Sequence, residues 1–253
     1  MIAYLKRSHR IASYWAPVLN GHLNSYLFFL RSKFGIANAV GHYRGLRFKF
    51  RSCDRSAVDE TLVRGEYEFI APLIAAIDAP LIVDIGMNVG DFAIFSVANN
   101  PRCDIIGVEA DAETAALARG NAPVRPAGSW VVHHRAVWKN NDALFIESGP
   151  LSVSSKVSAS GQQAVTGIDM STLLALLPHR PIDVMKIDVE GAEEAFLCAF
   201  PELLQHVRHL IVELHPSACD AQRVRSMLQQ QFARVEDVGG RLSSKPLLHC
   251  QRA

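Results

Sequence analysis

Cysteine pairs, long apolar runs and net charge are all scarce in this chain, and each shortage removes a class of protein. The five cysteines (Cys53, Cys103, Cys198, Cys219 and Cys250) are odd in number, scattered and never spaced C-x-x-C. That excludes a disulfide framework and a zinc cluster, and a reducing cytosol fits best. The most apolar N-terminal window, 11–30, is interrupted by Pro17, Asn20, Gly21, His22 and Asn24, whereas a bilayer span needs roughly 20 uninterrupted apolar residues. Residues 1–16 hold no apolar core with a small-residue cleavage site, so a cytoplasmic location is expected. Neither an internal repeat nor a low-complexity tract is present.

Net charge is only +1, but it is unevenly spread. Residues 1–60 carry ten Lys and Arg against three acids, a surplus of +7 that leaves −6 for the remainder. The basic residues are spaced out rather than clustered, so they read as a solvated face packed on an acidic body, and no nucleic acid is expected as a partner. Tyr14, Trp15, Leu27, Phe28, Phe29 and Leu30 mark helices that pack on something: the body, a second subunit or a membrane face. Peripheral membrane contact of this arm stays open. The chain divides into a basic, aromatic-rich extension at 1–60 and one domain at 61–253, long enough to bury roughly 70–75% of its unfolded surface.

From residue 80 onward, short apolar runs alternate with amphipathic segments, the pattern of repeated β-α-β units and a parallel α/β sheet. Strands are predicted at 81–85, 105–109, 130–133, 184–189 and 208–214, with helices near 90–99, 112–121, 171–178, 191–204 and 218–230. A terminal antiparallel pair, 232–238 with 245–251, brings the sheet to seven strands. Residues 139–168, rich in Ser and Gly, read as an inserted hairpin beside the acceptor pocket.

The run LIVDIGMNVGDF at 81–92 sets Asp84 on an apolar strand and Gly86, Asn88 and Gly90 in the turn that opens the next helix. Glycines suit a tight strand-to-helix turn because they adopt unusual backbone angles and let a ligand lie on bare main chain. A nicotinamide site would read G-x-G-x-x-G. Here the glycines are four apart, an acid precedes them, and no Tyr-x-x-x-Lys pair exists, which weighs against an oxidoreductase and towards a sulfonium nucleoside.

A second cluster lies in VMKIDVEGAE at 184–193. Residues two apart on a strand point the same way, so Lys186 and Asp188 share a face, with Glu190 at the strand's carboxyl end. Buried charges are costly without partners or a task; the alternatives are a self-neutralising network and a binding or catalytic cluster. The next strand ends in VELHP at 212–216. If strands one and four meet where strand order reverses, Asp84, Gly86, Asp188, Glu190, Glu213 and His215 gather round one crevice. Asp188, Glu190 and His215 do not form a spacing motif that selects a metal, and none is expected. His133 and His134 are weaker candidates beside the third strand.

VDIGMNVGDF, Glu109 in GVEAD, KIDVEGAE and VELHP together resemble the FkbM family of S-adenosylmethionine-dependent methyltransferases. The likeness covers about 80–216, with fainter echoes at Asp59-Glu60 and Gly65-Glu66-Tyr67. Met87 stands where that family usually has a small residue, Asp91 where an aromatic is common, and Ala110 where a proline is common. The resemblance implies a Rossmann-like class I methyltransferase fold, a mostly parallel seven-stranded sheet with helices on both faces. It implies that Asp84, Gly86, Asn88 and Gly90 cradle S-adenosylmethionine with the turn's N–H groups near its carboxylate, that Glu109 and Asp188 also bind it, and that 133–137 borders adenine. Its spacing of 19 residues from Gly90 suits Glu109 to the ribose hydroxyls.

Methyl transfer from a sulfonium needs alignment and, for a hydroxyl acceptor, a base. His215 is expected as that base and Asp188 as positioner, with Glu190 third. The expected acceptor is a hydroxyl of a sugar, glycan or secondary metabolite; a nicotinamide-dependent oxidoreductase and a non-catalytic cofactor-binding protein are the alternatives.

Overall fold

A helical turn at 11–15 and helix α1 (His22–Arg31) open the computed structural model, which describes residues 11–35, 37–123, 128–147, 156–158, 163–239 and 244–252. They pack on a hairpin of β1 (Asn38–Tyr43) and β2 (Leu46–Arg51). Its two-residue turn places Arg44 and Gly45 at φ 45° and 88°, the left-handed pair that matches strand twist in a tight hairpin. Trp15 and Phe28 are buried against Phe50, with ring centroids 6.0 and 5.3 Å from it. Tyr14, Leu27 and Leu30 stay at the surface. Basic residues of the extension reach the body: Arg44 pairs with Glu68 at 2.6 Å, and Arg51 donates to Thr114 at 2.8 Å. Lys6, Arg7 and Arg10 lie outside the described residues.

Helix α2 (Arg55–Val58) runs into a wide turn at Asp59–Val63, and α3 (Ala71–Ala76) leads to the sheet. The chain then alternates β3 (Leu81–Ile85), α4 (Asp91–Asn99), β4 (Asp104–Glu109), α5 (Ala112–Gly120) and β5 (Trp130–His134). An insert holds β6 (Ala136–Val137), β7 (Ala143–Glu147), β8 (Lys156–Ser158) and β9 (Gln163–Ile168). Next come α6 (Met170–Ala175), β10 (Ile182–Ile187), α7 (Glu193–Leu197), β11 (Val207–Glu213), α8 (Ala221–Gln231), β12 (Arg234–Asp237) and β13 (Leu247–Gln251).

The seven-stranded sheet runs β12-β13-β11-β10-β3-β4-β5. All neighbours from β11 to β5 are parallel, and β13 is antiparallel to both β11 and β12. Strand order therefore reverses between β3 and β10, the place where ligands bind in open α/β sheets. This is the Rossmann-like architecture expected from the sequence. Strand periodicity decides the two cores. Leu81, Val83, Ile85, Met185 and Ile187 face Phe196 and Leu204 on one side. Ile82, Val184 and Ile211 face the other, with Phe92 and the extension's Phe48 and Phe50. Each such side chain contributes about 1.5–3 kcal/mol on burial.

Two elements differ from the sequence expectation. The helix expected at 191–204 stops at Leu197 and resumes as a tight 3-10 turn at Pro201–His206, since a proline ring removes a donor and clashes with the preceding turn. The fourth strand ends at Ile187, two residues early. Asp188, Val189 and Glu190 lie in a bend where Glu190 and Gly191 take φ 52° and 114°. In the insert β7 and β9 form the expected antiparallel pair, extended by β6 and β8; 148–155 and 159–162 lie outside the described residues. Among the described residues no helix is long and apolar enough to cross a membrane, and all five cysteines are free thiols.

Candidate active site

Beyond the carboxyl ends of β3, β4 and β10 lies an open crevice lined by Ile85, Gly86, Val108, Glu109, Lys186 and Asp188. Gly86 forms its back wall at φ 70°, and a Cβ there would meet the Asp188 carbonyl oxygen at 1.7 Å. Only glycine lets the ends of β3 and β10 approach so closely. The N–H groups of Gly86 and Met87 both donate to the Val108 carbonyl at 3.0 Å. Asn88 N–H donates to Glu109 Oε2 at 2.8 Å, Val89 N–H to Asn88 Oδ1, and Gly90 N–H to the Met87 carbonyl. The N–H groups expected to face a cofactor carboxylate are thus all engaged within the protein. Glu109 Oε1 accepts from Asp111 N–H at 2.9 Å, so the carboxylate is fixed at both oxygens while each keeps a lone pair for a ligand. Burial pushes its pKa above the usual carboxylate range.

Met87 and Asp91, the two departures within the turn, each have a structural counterpart. Met87 is fully buried over Gly107, where a Cβ would strike its sulfur at 2.0 Å; a large side chain in the turn is matched by the absence of one on β4. Asp91 is buried at the start of α4 and accepts a hydrogen bond from Thr61 Oγ1. This ties the wide turn Asp59–Val63 to the cofactor turn.

Asp84 and Lys186 are opposite one another in the β3–β10 register and buried. Lys186 Nζ donates to the Gly86 carbonyl at 2.8 Å and lies 3.5 Å from Asp84 Oδ1 and 3.9 Å from Asp188 Oδ2. Neither oxygen of Asp84 has a hydrogen-bond partner. Burial pushes the Asp84 carboxyl up to about 7 against the pull of Lys186. Burial lowers the Lys186 pKa, but Asp84 and Asp188 outweigh it and the net shift is upward.

On the other side, His215 is 3% exposed. Its Nδ1 bonds Glu193 Oε1 at 2.6 Å. Nε2 points at Glu190 Oε2, 3.2 Å away, and Asp188 Oδ1, 3.8 Å away, yet no well-aligned hydrogen bond reaches it. Burial lowers the imidazole's pKa, but Glu190 and Glu193 outweigh it and hold it near 10. Glu190 Oε1 accepts from Lys245 Nζ at 3.2 Å, and that cation lies 3.8 Å from Glu213 Oε1. Burial and Asp188 push Glu213 up to about 8.

Of the residues singled out in the sequence, Gly86, Asn88, Glu109, Asp188 and Glu190 line the crevice, with Lys186. Asp84, Gly90 and His215 stand behind this wall. Arg135, Ala136 and Val137 border it from the third strand, with Ile146 from the insert, whereas His133 and His134 do not; His134 Nε2 bonds the Ala110 carbonyl at 3.0 Å. Sequence reasoning missed Glu60, Thr61 and Glu66 as wall residues. Their signal was the faint family echo around 59–67. Burial and Glu66 raise Glu60 to about 7, and burial with Asp188 raises Glu66.

The family model for the methyltransferase FkbM domain matches residues 84–237, more than half of the chain. The chain belongs to the FkbM family of S-adenosylmethionine-dependent methyltransferases. No curated protein matches it in sequence. Among solved structures, this FkbM methyltransferase is similar to magnesium protoporphyrin IX methyltransferase from Synechocystis PCC 6803, solved with bound SAM. The identity is 15%, the match covers 79% of this chain and 82% of that one, and the TM-score is 0.47. It is also similar to human methyltransferase-like protein 13 in complex with SAH, at 17% identity, 72% and 76% coverage and TM-score 0.47. The FkbM match begins at Asp84, so the wall formed by Glu60, Thr61 and Glu66 lies before it.

Proposed function

We propose that the protein methylates a hydroxyl group of a sugar, glycan or secondary metabolite, using S-adenosylmethionine bound across Gly86, Asn88 and Glu109. The observation that carries this reading is the charge of the crevice. Seven carboxylates line it against two cations, Lys186 and Arg135, and the turn has no N–H to offer. Such a site suits a cofactor bearing a sulfonium and an ammonium and repels the pyrophosphate of a dinucleotide. The glycine wall at Gly86 fits a ligand laid on main chain, and the remaining lone pairs of Glu109 fit a ribose diol.

When bound, S-adenosylmethionine supplies an activated methyl group on a positively charged sulfur. Asp188, whose Oδ1 is without a partner, orients the acceptor through a neighbouring hydroxyl, leaving the reacting O–H to the facing wall. Glu60, on the facing wall, takes the proton, because a carboxyl held near 7 suits proton removal at neutral pH. His215, the base expected from the sequence, acts here as a positioning residue: its imidazole is behind the wall, clasped by Glu193 and already charged at neutral pH. Asp84 acts in the same indirect way, through Lys186 and the Gly86 carbonyl. Residues 1–60 form an extension to a domain at 61–253, lending Ala57 and Glu60 to the wall, and free thiols suit the cytosol.

Calorimetry with S-adenosylmethionine and, separately, NADH tests the cofactor, with heat expected only for the first. Methyl transfer from labelled cofactor into hydroxyl-bearing compounds of a cell extract tests turnover. Heat without any methyl release would leave a cofactor-binding protein that does no chemistry.

A further inference from the structure

Three donors of different chemical type converge beside the acceptor end of the crevice. Asp188 follows β10 by one residue, Glu213 closes β11, and His215 follows two residues later. One ligand atom from each lies within 4.8 Å of the others. An acidic cluster alone would not make a site, since buried carboxylates often just pair with nearby cations. The imidazole supplies the independent observation. With its side chain 4% exposed, His215 is held at Nδ1 by Glu193 Oε1 at 2.6 Å, and Glu193 is itself fully buried. A carboxylate on one ring nitrogen orients the ring and aims the other nitrogen, the arrangement by which proteins orient histidines for metals, and a cation that takes this position displaces the Nε2 proton of the imidazolium. The aimed nitrogen, Nε2, is buried, faces Asp188 and Glu190, and has no hydrogen-bond partner; Asp188 Oδ1, 3.8 Å away, has none either. Orphaned buried donors and acceptors are rare and costly, and facing orphans of this kind mark a missing partner.

We propose that Asp188, Glu213 and His215 form a binding site for a divalent cation at the acceptor end of the crevice. One imidazole and two carboxylates suit Mn²⁺ or Zn²⁺ better than Mg²⁺, which favours oxygen ligands and retained water. The spread of the three atoms closes onto bonds of about 2.0–2.2 Å by small side-chain movements. Glu190, 3.2 Å from Nε2, takes the outer position, and half-buried Lys245, now beside Glu190 and Glu213, gives way to the incoming charge. A cation there binds and polarises an incoming hydroxyl oxygen. That consequence rests on the methyl-transfer reading, but the site itself does not.

The test is Mn²⁺ titration of the full chain after chelator treatment, followed by electron paramagnetic resonance of the free ion, with Zn²⁺ as competitor. One saturable site per chain is expected. Asp188→Asn and Glu213→Gln, both close to isosteric, should each weaken it at least about tenfold, and Glu193→Gln about 10–100-fold through loss of imidazole orientation. Calorimetric melting confirms that each variant is folded; if one is not, the others decide. No saturable binding by the wild type, or equal binding by wild type and all folded variants, overturns the proposal. S-adenosylmethionine calorimetry on the same chelated protein separates failure of this site from failure of the methyltransferase reading.

Discussion

The two ends of the crevice are built on opposite principles. At the cofactor end, around Gly86, Asn88 and Glu109, the hydrogen bonds of the turn are closed within the protein: each N–H from Gly86 to Gly90 has an acceptor, and both Glu109 oxygens accept from main chain. At the acceptor end, Asp188 Oδ1 and His215 Nε2 have no partner, and neither does Glu193 Oε2 behind them. An unsatisfied buried polar group costs about 1–3 kcal/mol. The first end is a template that positions by shape; the second presents unpaired charge to the crevice. Asp84 is the exception at the first end: both its oxygens lack a hydrogen-bond partner, and Lys186, 3.5 Å away, balances its charge.

Gly86→Val should break both ends at once and gives the largest expected effect. The new side chain would begin 1.7 Å from the Asp188 carbonyl, at a φ of 70° that a β-branched residue does not tolerate. Calorimetry should find no S-adenosylmethionine binding, and the melting temperature should fall with a destabilisation of about 3 kcal/mol. A variant that still bound the cofactor normally would mean that the turn is not where it sits.

Glu60→Gln separates the ends. The amide keeps the shape of the wall but cannot take a proton, so turnover should drop about 100-fold while cofactor affinity stays unchanged. Unaltered turnover would return the base to Asp188 or Glu190. Glu109→Ala is the reciprocal change. It removes an expected pair of charge-assisted bonds to ribose and strands the N–H groups of Asn88 and Asp111, so affinity should weaken about 10–100-fold, with the cation affinity of the acceptor end unmoved.

These variants also mark how far the sequence could be read. The cofactor turn and KIDVEGAE were legible because their meaning is local: an acid, glycines at fixed offsets and a strand before a helix require no knowledge of distant residues. The parallel sheet followed from the alternation of apolar and amphipathic runs, and the antiparallel pair from the terminal runs, whereas strand order came only with the structure. What stayed hidden depends on partners far away in the chain. Nothing near His215 announces that Glu193, 22 residues earlier, will clasp its ring and turn a candidate base into a charged positioning group. Met87 looked like a misfit in the turn until Gly107 was found opposite it. Glu60 had only a faint family echo to mark it, and the bond between Thr61 and Asp91 helps to tie its segment to the wall. That bond is open to a milder test. Thr61→Val strips a buried carboxylate of its neutral donor and should cost about 1–3 kcal/mol in denaturant unfolding, with cofactor affinity falling less than tenfold. No loss of stability would mean that Asp91 is served by its own main chain.

The smallest expected effect contrasts two buried histidines. His215 is ringed by carboxylates and charged; His249, on β13, is kept neutral. Its Nδ1 accepts from Gln251 Nε2 at 3.2 Å, so its Nε2–H donates to His209 Nδ1, also at 3.2 Å. Every ring nitrogen in that contact is used without a net charge, and a further proton would set two cations ring to ring, with centroids 5.4 Å apart. Glu236, its register partner on β12, favours the charged form and Arg234 opposes it, but burial first and His209 second dominate and lower the His249 pKa to about 4. The unfolded chain has an ordinary imidazole near 6.5. Between pH 6.5 and 4 the unfolded state therefore binds more protons than the folded one, and the stability present above 6.5 is lost as pH falls through that window. His249→Gln keeps a hydrogen-bonding partner for His209 but cannot take up the proton. Its melting temperature should drop less than that of the wild type between pH 7 and pH 5, by about 2–4 °C for each kcal/mol removed from the window. Raised carboxyls such as Asp84 act in the opposite direction in both proteins, so the difference between the two profiles isolates His249; parallel profiles would place the acid sensitivity elsewhere.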